Sequence, residues 1–364
     1  RAVYGGNALA AHVVGAGKSA VFITTVMKKK ALGLIHKACV VVPKALTEQT
    51  AREWRKLYPD ARLLTVTDMD LSSQKKRDVF AARIATGDFD AVILSQEQFE
   101  KMPMSPEFQK AYIQKQLDAL EDMLRERRIA NGNRRDTSTK AIETEKKRLK
   151  RRLEKIMNPK SAPKKKDFLL DFEQLGFDFL VVDEAHAYKN GFVATKMGEV
   201  SGVTTKASGR AQDMQMKCDF LNDTMGQGHI MFCTGTPVSN SMTELYVMSR
   251  YLRPDLLAAA GVSRFDDWAA TFGRVVMQHK QTASGELKLK ATFAKFANLP
   301  ELMAMFKEVA DIRTADTLNL PVPKTNFHNI TVKPMEEEKT KKNTPSLDGV
   351  FFYVDVRKYI DLKL

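Results

Sequence analysis

The chain has 364 residues, 43% hydrophobic and 28% charged, which is enough for one large domain or two modest ones of ordinary globular composition. No apolar run approaches the roughly 20 residues that cross a bilayer, and Cys39, Cys218 and Cys233 lie far apart without metal-ligand spacing, so they read as reduced core thiols and not as disulfides or a zinc site. The net charge of +14 points to a polyanionic partner, and a first residue of Arg1 with no leader pattern reads as a piece of a longer protein.

Six short apolar runs, at 9–13, 38–42, 63–66, 91–94, 179–182 and 230–233, predict strands, and the amphipathic stretches between them predict helices. Alternation of this kind gives an α/β fold with a mostly parallel sheet, whose ligands sit at the carboxyl ends of the strands. The first run leads into His12-Val13-Val14-Gly15-Ala16-Gly17-Lys18-Ser19 and then a helical pattern at 21–27, which is the strand, loop and helix setting of a phosphate-binding loop. Gly15 and Gly17, with Ala16 between them, let backbone N–H groups close on phosphate oxygens. Lys18 meets the β- and γ-phosphates of ATP, and Ser19 ligates Mg2+. His12 stands where that pattern expects its first glycine.

After the second run, Lys44 and the amides of a helix beginning near Thr47 would make a clamp for phosphate groups. A solvated surface lysine is the plain alternative for Lys44. Between 103 and 166, Ile113, Leu117, Leu120 and Leu124, and then Ile142, Leu149, Leu153 and Ile156, recur at helical spacing around the turn residues 130–133. This predicts an inserted antiparallel helical hairpin. Its segment 125–166 carries 17 Lys/Arg against five acids, so it is either a solvated brace or an arm on the DNA backbone, with Arg134, Arg135, Lys150 and Arg151 as candidate contacts.

The run at 179–182 ends in Asp183-Glu184-Ala185-His186. Asp183 there holds the Mg2+ shell, Glu184 orients water for in-line displacement at the γ-phosphate, and His186 senses the phosphate state. The run at 230–233 ends in Thr234-Gly235-Thr236-Pro237, continued by Ser239, Asn240 and Ser241. Residues 255–320 are expected to be helical, with Phe265, Trp268 and Phe272 in the core, and residues 329–332 to form a short strand leaving the domain.

With the phosphate loop, Asp-Glu-Ala-His and Thr-Gly-Thr-Pro in that order, each after a buried strand, the sequence resembles the first RecA-like lobe of superfamily-2 helicases, particularly the Swi/Snf-like branch. The resemblance implies a P-loop NTPase fold, ATP and Mg2+ as ligands, and ATP-driven movement on duplex DNA. It also implies that Thr234, Gly235 and Thr236 couple the ATP state to DNA grip through His186. Val40-Val41-Val42-Pro43-Lys44 with Thr47 looks like motif Ia and Leu94-Ser95-Gln96-Glu97-Gln98-Phe99 like motif Ib, which puts Ser95 and Gln96 beside Lys44 and Thr47 on the nucleic-acid backbone.

The stretches Ala11-His12-Val13-Val14-Gly15-Ala16-Gly17-Lys18, Tyr188-Lys189-Asn190 and Thr236-Pro237-Val238-Ser239-Asn240-Ser241, with residues 293–302, look like one subgroup. Its members are very large phage and conjugative-element proteins that join an adenine-N6 DNA methyltransferase to a Swi/Snf-like helicase. That likeness implies DNA processing or anti-restriction work in a prokaryotic or phage-infected cytoplasm. A methyltransferase domain would lie elsewhere in the polypeptide, because no DPPY-type tetrapeptide occurs here.

The expected division is an ATP-binding lobe at 1–102 and 167–330, the hairpin at 103–166, and a linker or shortened start of a second lobe at 331–364. The arginine finger of that second lobe and the adenine-reading glutamine are not found, so the chain alone is expected to be near-inactive. Two other readings stay open. One is a non-catalytic DNA-binding scaffold on a P-loop fold, against which Lys18, Asp183 and Glu184 count; the other is an RNA-directed DEAH helicase, whose third motif is usually a Ser-Ala-Thr turn.

Overall fold

Strands that are apolar on both sides of the backbone must be covered on both faces, and this requirement organises the molecule. The computed structural model describes residues 2–131, 137–158, 170–197, 200–201, 203, 208–238, 241–281 and 287–318. They belong to the first of two compact units into which the chain divides, Arg1–Leu320. In chain order the first half comprises β1 (Ala8–His12), α1 (Lys18–Ala31), β2 (Ala38–Val42), α2 (Thr47–Leu57), β3 (Leu63–Thr65), α3 (Gln74–Thr86), β4 (Ala91–Ser95) and α4 (Gln96–Glu100). After them come α5 (Pro106–Asn131), α6 (Thr137–Met157), β5 (Phe179–Asp183), α7 (Gly209–Met225), β6 (Ile230–Cys233), α8 (Met242–Leu252), α9 (Pro254–Ala259) and α10 (Phe265–Phe272). The last are β7 (Gly273–Gln281), β8 (Leu287–Phe296), α11 (Leu299–Val309), β9 (Ala310–Arg313) and α12 (Ala315–Leu318).

Seven strands form one parallel sheet in the order β3-β4-β2-β5-β6-β1-β9. Every residue of β1, β2, β4, β5 and β6 is buried, and successive residues feed opposite cores. In β2, Cys39 and Val41 join the core beneath α7 and α8, whereas Ala38, Val40 and Val42 join Phe22, Ile23 and Val26 of α1 and Trp54 of α2. Helices on both faces of a parallel sheet make this a RecA-like P-loop NTPase architecture. The three cysteines are buried and free, as their spacing suggested. Among the described residues no helix is long and apolar enough to cross a membrane.

At the amino ends of the central strands, buried Asn7 ties β1 to β6. Its Oδ1 accepts the backbone N–H groups of Gly228, His229 and Ile230, each at 2.9 Å. Its Nδ2 donates to Asn222 Oδ1 at 2.7 Å and to the Leu252 carbonyl at 2.8 Å. One carboxamide thereby fills both its donor and its acceptor capacity and sets the register between two strands whose carboxyl ends carry the site.

The helical hairpin is present as α5 and α6, which pack through Ile113, Leu117, Leu120, Met123 and Leu124 against Ile142 and Leu149, with Phe192 of the lobe completing the cluster. It is docked along its length and does not swing free. Arg152 donates to Gln212 Oε1 at 2.6 Å, Tyr112 joins the main core, and near the far end of α5 Glu126 accepts from both Lys196 and Arg264. Those two cations hold the Glu126 carboxyl down at about 2.

One expectation is corrected. Residues 255–320 are not helical throughout, because between α10 and α11 the chain makes an antiparallel ribbon, β7 with β8, and after α11 it adds the edge strand β9. In the ribbon Leu287, Leu289, Ala291 and Phe293 recur at period two, the pattern of a strand. The aromatic helix before it is as expected, with Phe265, Trp268 and Phe272 buried, and Phe293 of β8 inserts beside them. Gly273 makes room: a Cβ there would lie 2.0 Å from the Phe293 ring. The segment 329–332 and the expected linker lie outside the described residues.

Candidate functional site

The sheet order sets β5, β6 and β1 side by side, so the segments that follow them share one edge. In the first, Gly15 and Gly17 take φ of 86° and 76°, a left-handed backbone open to glycine at little cost, and nothing lies within 4 Å of where a Cβ would stand. Gly17 is the N-cap of the 14-residue α1 and supplies no side-chain acceptor to the first amides of that helix. Ala16 and Ser19 flank this turn, half-buried. Lys18 Nζ donates to the His12 carbonyl at 3.3 Å.

In the second segment, Asp183 closes β5, opposite Cys233 in the register with β6. Its carboxylate is buried and Oδ1 has no partner; burial first, and then the charge of Glu184, push its pKa up to about 6, against the opposing charge of Lys18. Glu184 follows with φ of 50°, a strained backbone for a side chain of this kind, and turns the chain into the 3-10 turn Ala185–Tyr188. His186 Nδ1 then lies 3.0 Å from Glu184 Oε2 and 3.2 Å from Thr234 Oγ1. That nitrogen carries at most one proton: protonated, it donates toward the carboxylate or the hydroxyl oxygen, and unprotonated, it accepts from the hydroxyl.

The third segment is locked onto its neighbours. Thr234 is fully buried, its N–H donates to the Ala10 carbonyl at 3.1 Å, and its Oγ1 accepts the Thr236 N–H at 3.1 Å. A Cβ on Gly235 would stand 3.4 Å from the His12 carbonyl. The third segment therefore touches each of the other two through backbone or side chain. Ser239 and Asn240 lie outside the described residues.

Residues 3–314 match the family model described as a probable helicase domain. The chain belongs to that family. It is 26% identical over 263 residues to defense against restriction protein B of Escherichia phage P1, an alignment that covers 70% of this chain and spans 11% of that protein's length. Among solved structures it is similar to the Sulfolobus solfataricus SWI2/SNF2 ATPase core in complex with dsDNA, at 15% identity and a TM-score of 0.41, over 86% of this chain and 41% of that one.

The donor set in this helicase domain fits a hard divalent cation. Asp183 Oδ1 is a buried, unpartnered acceptor whose ionised form a cation would restore, and the Ser19 hydroxyl stands at the start of α1. Among the described residues no three His, Cys, Asp or Glu side chains gather as a metal site. A cation at Asp183 would therefore be completed by phosphate and water, the way Mg2+ is usually held.

The helicase domain's candidate nucleic-acid residues fall into three groups. Lys44 is exposed and ion-paired with Asp68 at 2.7 Å, and Thr47 Oγ1 donates to the Lys44 carbonyl at 2.6 Å. Ser95 is buried and forms a capping box with Gln98 at the start of α4, while Gln96 Nε2 reaches the Asp183 carbonyl at 3.5 Å. Lys150 and Arg151 are exposed on α6, and Arg134 and Arg135 lie outside the described residues.

Sequence reasoning missed the partner of His12. This buried side chain places Nε2 2.7 Å from Asp311 Oδ2 on β9. The one signal was a histidine standing where glycine was expected, and it could not name a partner 299 residues away.

Proposed function

We propose that this chain is the ATP-binding motor lobe of a Swi/Snf-like superfamily-2 DNA translocase, working in phage or mobile-element DNA processing within a longer polypeptide that supplies the second lobe. The observation that carries the reading is the contact between segments. Lys18, Asp183-Glu184-His186 and Thr234-Gly235-Thr236 stand at the ends of three adjacent strands, and His186 bridges the second to the third at 3.2 Å. An acid pair and a phosphate loop at one edge serve phosphoryl transfer, and a bridge to a third turn gives that chemistry an output.

In this reading the amides of Gly15, Ala16 and Gly17 and the start of α1 bind the β- and γ-phosphates, and Lys18 leaves the His12 carbonyl to meet them. Asp183 and Ser19 hold Mg2+, which supplies charge neutralisation at the phosphates. Glu184 orients and polarises the attacking water. His186, released from or held to Glu184, shifts its bond with Thr234 and so reports the nucleotide state to the turn that Thr236 closes. Duplex DNA runs over exposed Lys44, with Gln96 linking that surface to the Asp183 carbonyl. Exposed Lys150 and Arg151 make the docked hairpin a fixed rail for the DNA backbone. Ser95, as a buried cap, shapes α4 from within.

Mg-ATP calorimetry on the unsubstituted chain, Lys18→Ala and Asp183→Ala, with and without duplex DNA, tests the proposal. Losing the Lys18 ammonium should weaken Mg-ATP by about 100-fold, and losing Asp183 should remove the Mg2+ requirement. Binding by the unsubstituted chain that both substitutions leave intact would discard the site, while DNA binding without any nucleotide binding would leave a scaffold. Competition with single strands and RNA separates a duplex translocase from an RNA-directed helicase. Turnover by this chain alone should be slow, because an arginine finger from a second lobe is worth about 10³ to 10⁵ in rate in related systems.

A further inference from the structure

We propose that His12 is a positioning residue of the phosphate loop, pinned to Asp311 on β9 so that the carbonyl receiving Lys18 is held fixed and β9 becomes part of the nucleotide site. The inference rests on the reading that this loop binds nucleotide.

The geometry joins two functions in one residue. The His12 imidazole is buried and meets Asp311 Oδ2 at 2.7 Å, while its backbone carbonyl accepts Lys18 Nζ at 3.3 Å. Side chain and main chain thus point the same residue at β9 and at the ammonium that would meet phosphate. The neighbouring residue is anchored as well: Val13 N–H donates to the Arg313 carbonyl at 2.9 Å. Arg313 also sets its Nε 3.4 Å from Asp311 Oδ2, which steadies the carboxylate that receives the imidazole.

A glycine at this position would remove the side-chain hydrogen bond between β1 and β9 and leave their backbone pairing and apolar contact. Histidine is costly in a buried site unless its polar nitrogen finds a partner, and Asp311 supplies one. With the imidazole fixed, the resting place of Lys18 is fixed, and the distance the ammonium travels to a bound phosphate does not depend on loop fluctuation. Such pre-organisation lowers what binding costs in ordering. Its second consequence concerns β9, which ends at Arg313, a short way before the second compact unit begins at Pro321. Holding the loop to this strand means that filling the loop should damp the motion of β9.

The test uses the 364-residue chain with His12→Gly, His12→Gln, Asp311→Ala and Asp311→Asn, and the His12→Gly/Asp311→Ala double variant. His12→Gly and Asp311→Ala should each weaken Mg-ATP by about tenfold, with the double variant within about twofold of either single, because one bond is broken in all three. His12→Gln and Asp311→Asn keep a donor and an acceptor, and should bind within about threefold of the unsubstituted chain. Amide hydrogen exchange at residues 310–313 should slow when Mg-ATP saturates the unsubstituted chain, and not in His12→Gly.

Variants that melt earlier yet bind Mg-ATP unchanged would reduce His12 to packing and overturn the proposal. So would additive losses, or exchange at β9 that ignores nucleotide in the unsubstituted chain, a result that needs no variant to fold. If the unsubstituted chain binds no nucleotide, the reading of the site fails and takes this proposal with it. Binding that is lost in Lys18→Ala but kept in His12→Gly sinks this proposal alone.

Discussion

The central strands β1, β5 and β6 are treated in opposite ways at the two ends of the sheet. At the amino end every polar atom of the Asn7 carboxamide is engaged, and three successive backbone N–H groups are collected by one oxygen. At the carboxyl end α1 begins without a side-chain cap, Asp183 Oδ1 has no partner, and Glu184 sits in left-handed backbone. The satisfied end holds the strands together, and the unsatisfied end keeps bonding capacity for something that arrives later. Strain and unpaired groups persist only where the surrounding structure over-determines them, and here the amino end supplies that surplus.

The contrast is open to direct attack. Asn7→Ala should have the largest effect on stability, about 3 kcal/mol in urea unfolding, because it strands several buried groups at once. Nucleotide affinity per folded molecule should stay unchanged; a loss of affinity as large as the loss of stability would mean that the two ends do not divide the work. At the other end, Asp183 is held at about 6, above its ordinary 3.8, so its contribution to the stability of the empty chain is fully present below 3.8 and is lost as pH rises through about 6. A cation needs the ionised carboxylate, so Mg2+ dependence should grow as pH rises through about 6, and Asp183→Asn should abolish both trends in melting and calorimetry.

Two further substitutions mark the ground away from either end. Gly273→Ala drives a methyl into the Phe293 ring and should destabilise by about 2 kcal/mol without touching nucleotide affinity. Glu126→Gln breaks ion pairs that water already screens, and should have the smallest effect on stability of these substitutions. A large fall there would show that the docking of the hairpin depends on its far end and not on its apolar seam.

The placement of the carboxyl-edge residues was legible because their sequence signals are local. Gly15, Gly17, Lys18 and Ser19 fall within one turn, and Asp183 and Thr234 each follow an unmistakable buried strand. The helical hairpin was legible for a similar reason, since its apolar spacing repeats from Ile113 to Leu124 in α5 and from Ile142 to Ile156 in α6. What escaped was decided by distant partners. Ala310-Asp311-Ile312-Arg313 is too short to declare itself a strand, and is one only because β1 lies beside it. In the ribbon, the helical spacing of Phe265, Trp268 and Phe272 masked the change to period two that begins after Gly273. Asn7, the best-connected polar side chain at the amino end, offered no motif at all.

The placement of β1 also bears on how the protein is made. This strand is made well before its two neighbours, β6 and β9, which are residues 230–233 and 310–313. At roughly 5–20 residues per second, something like 15–60 s of synthesis separates β1 from the strand that completes its pairing. Until β6 and then β9 are made, this buried strand and the loop it carries lack sheet neighbours, so the pairing of β1 is the last in the sheet to be completed. Slowing translation after residue 233 or cutting the chain short of Arg313 should therefore yield a product that has lost its nucleotide site first, long before the rest of the sheet is compromised.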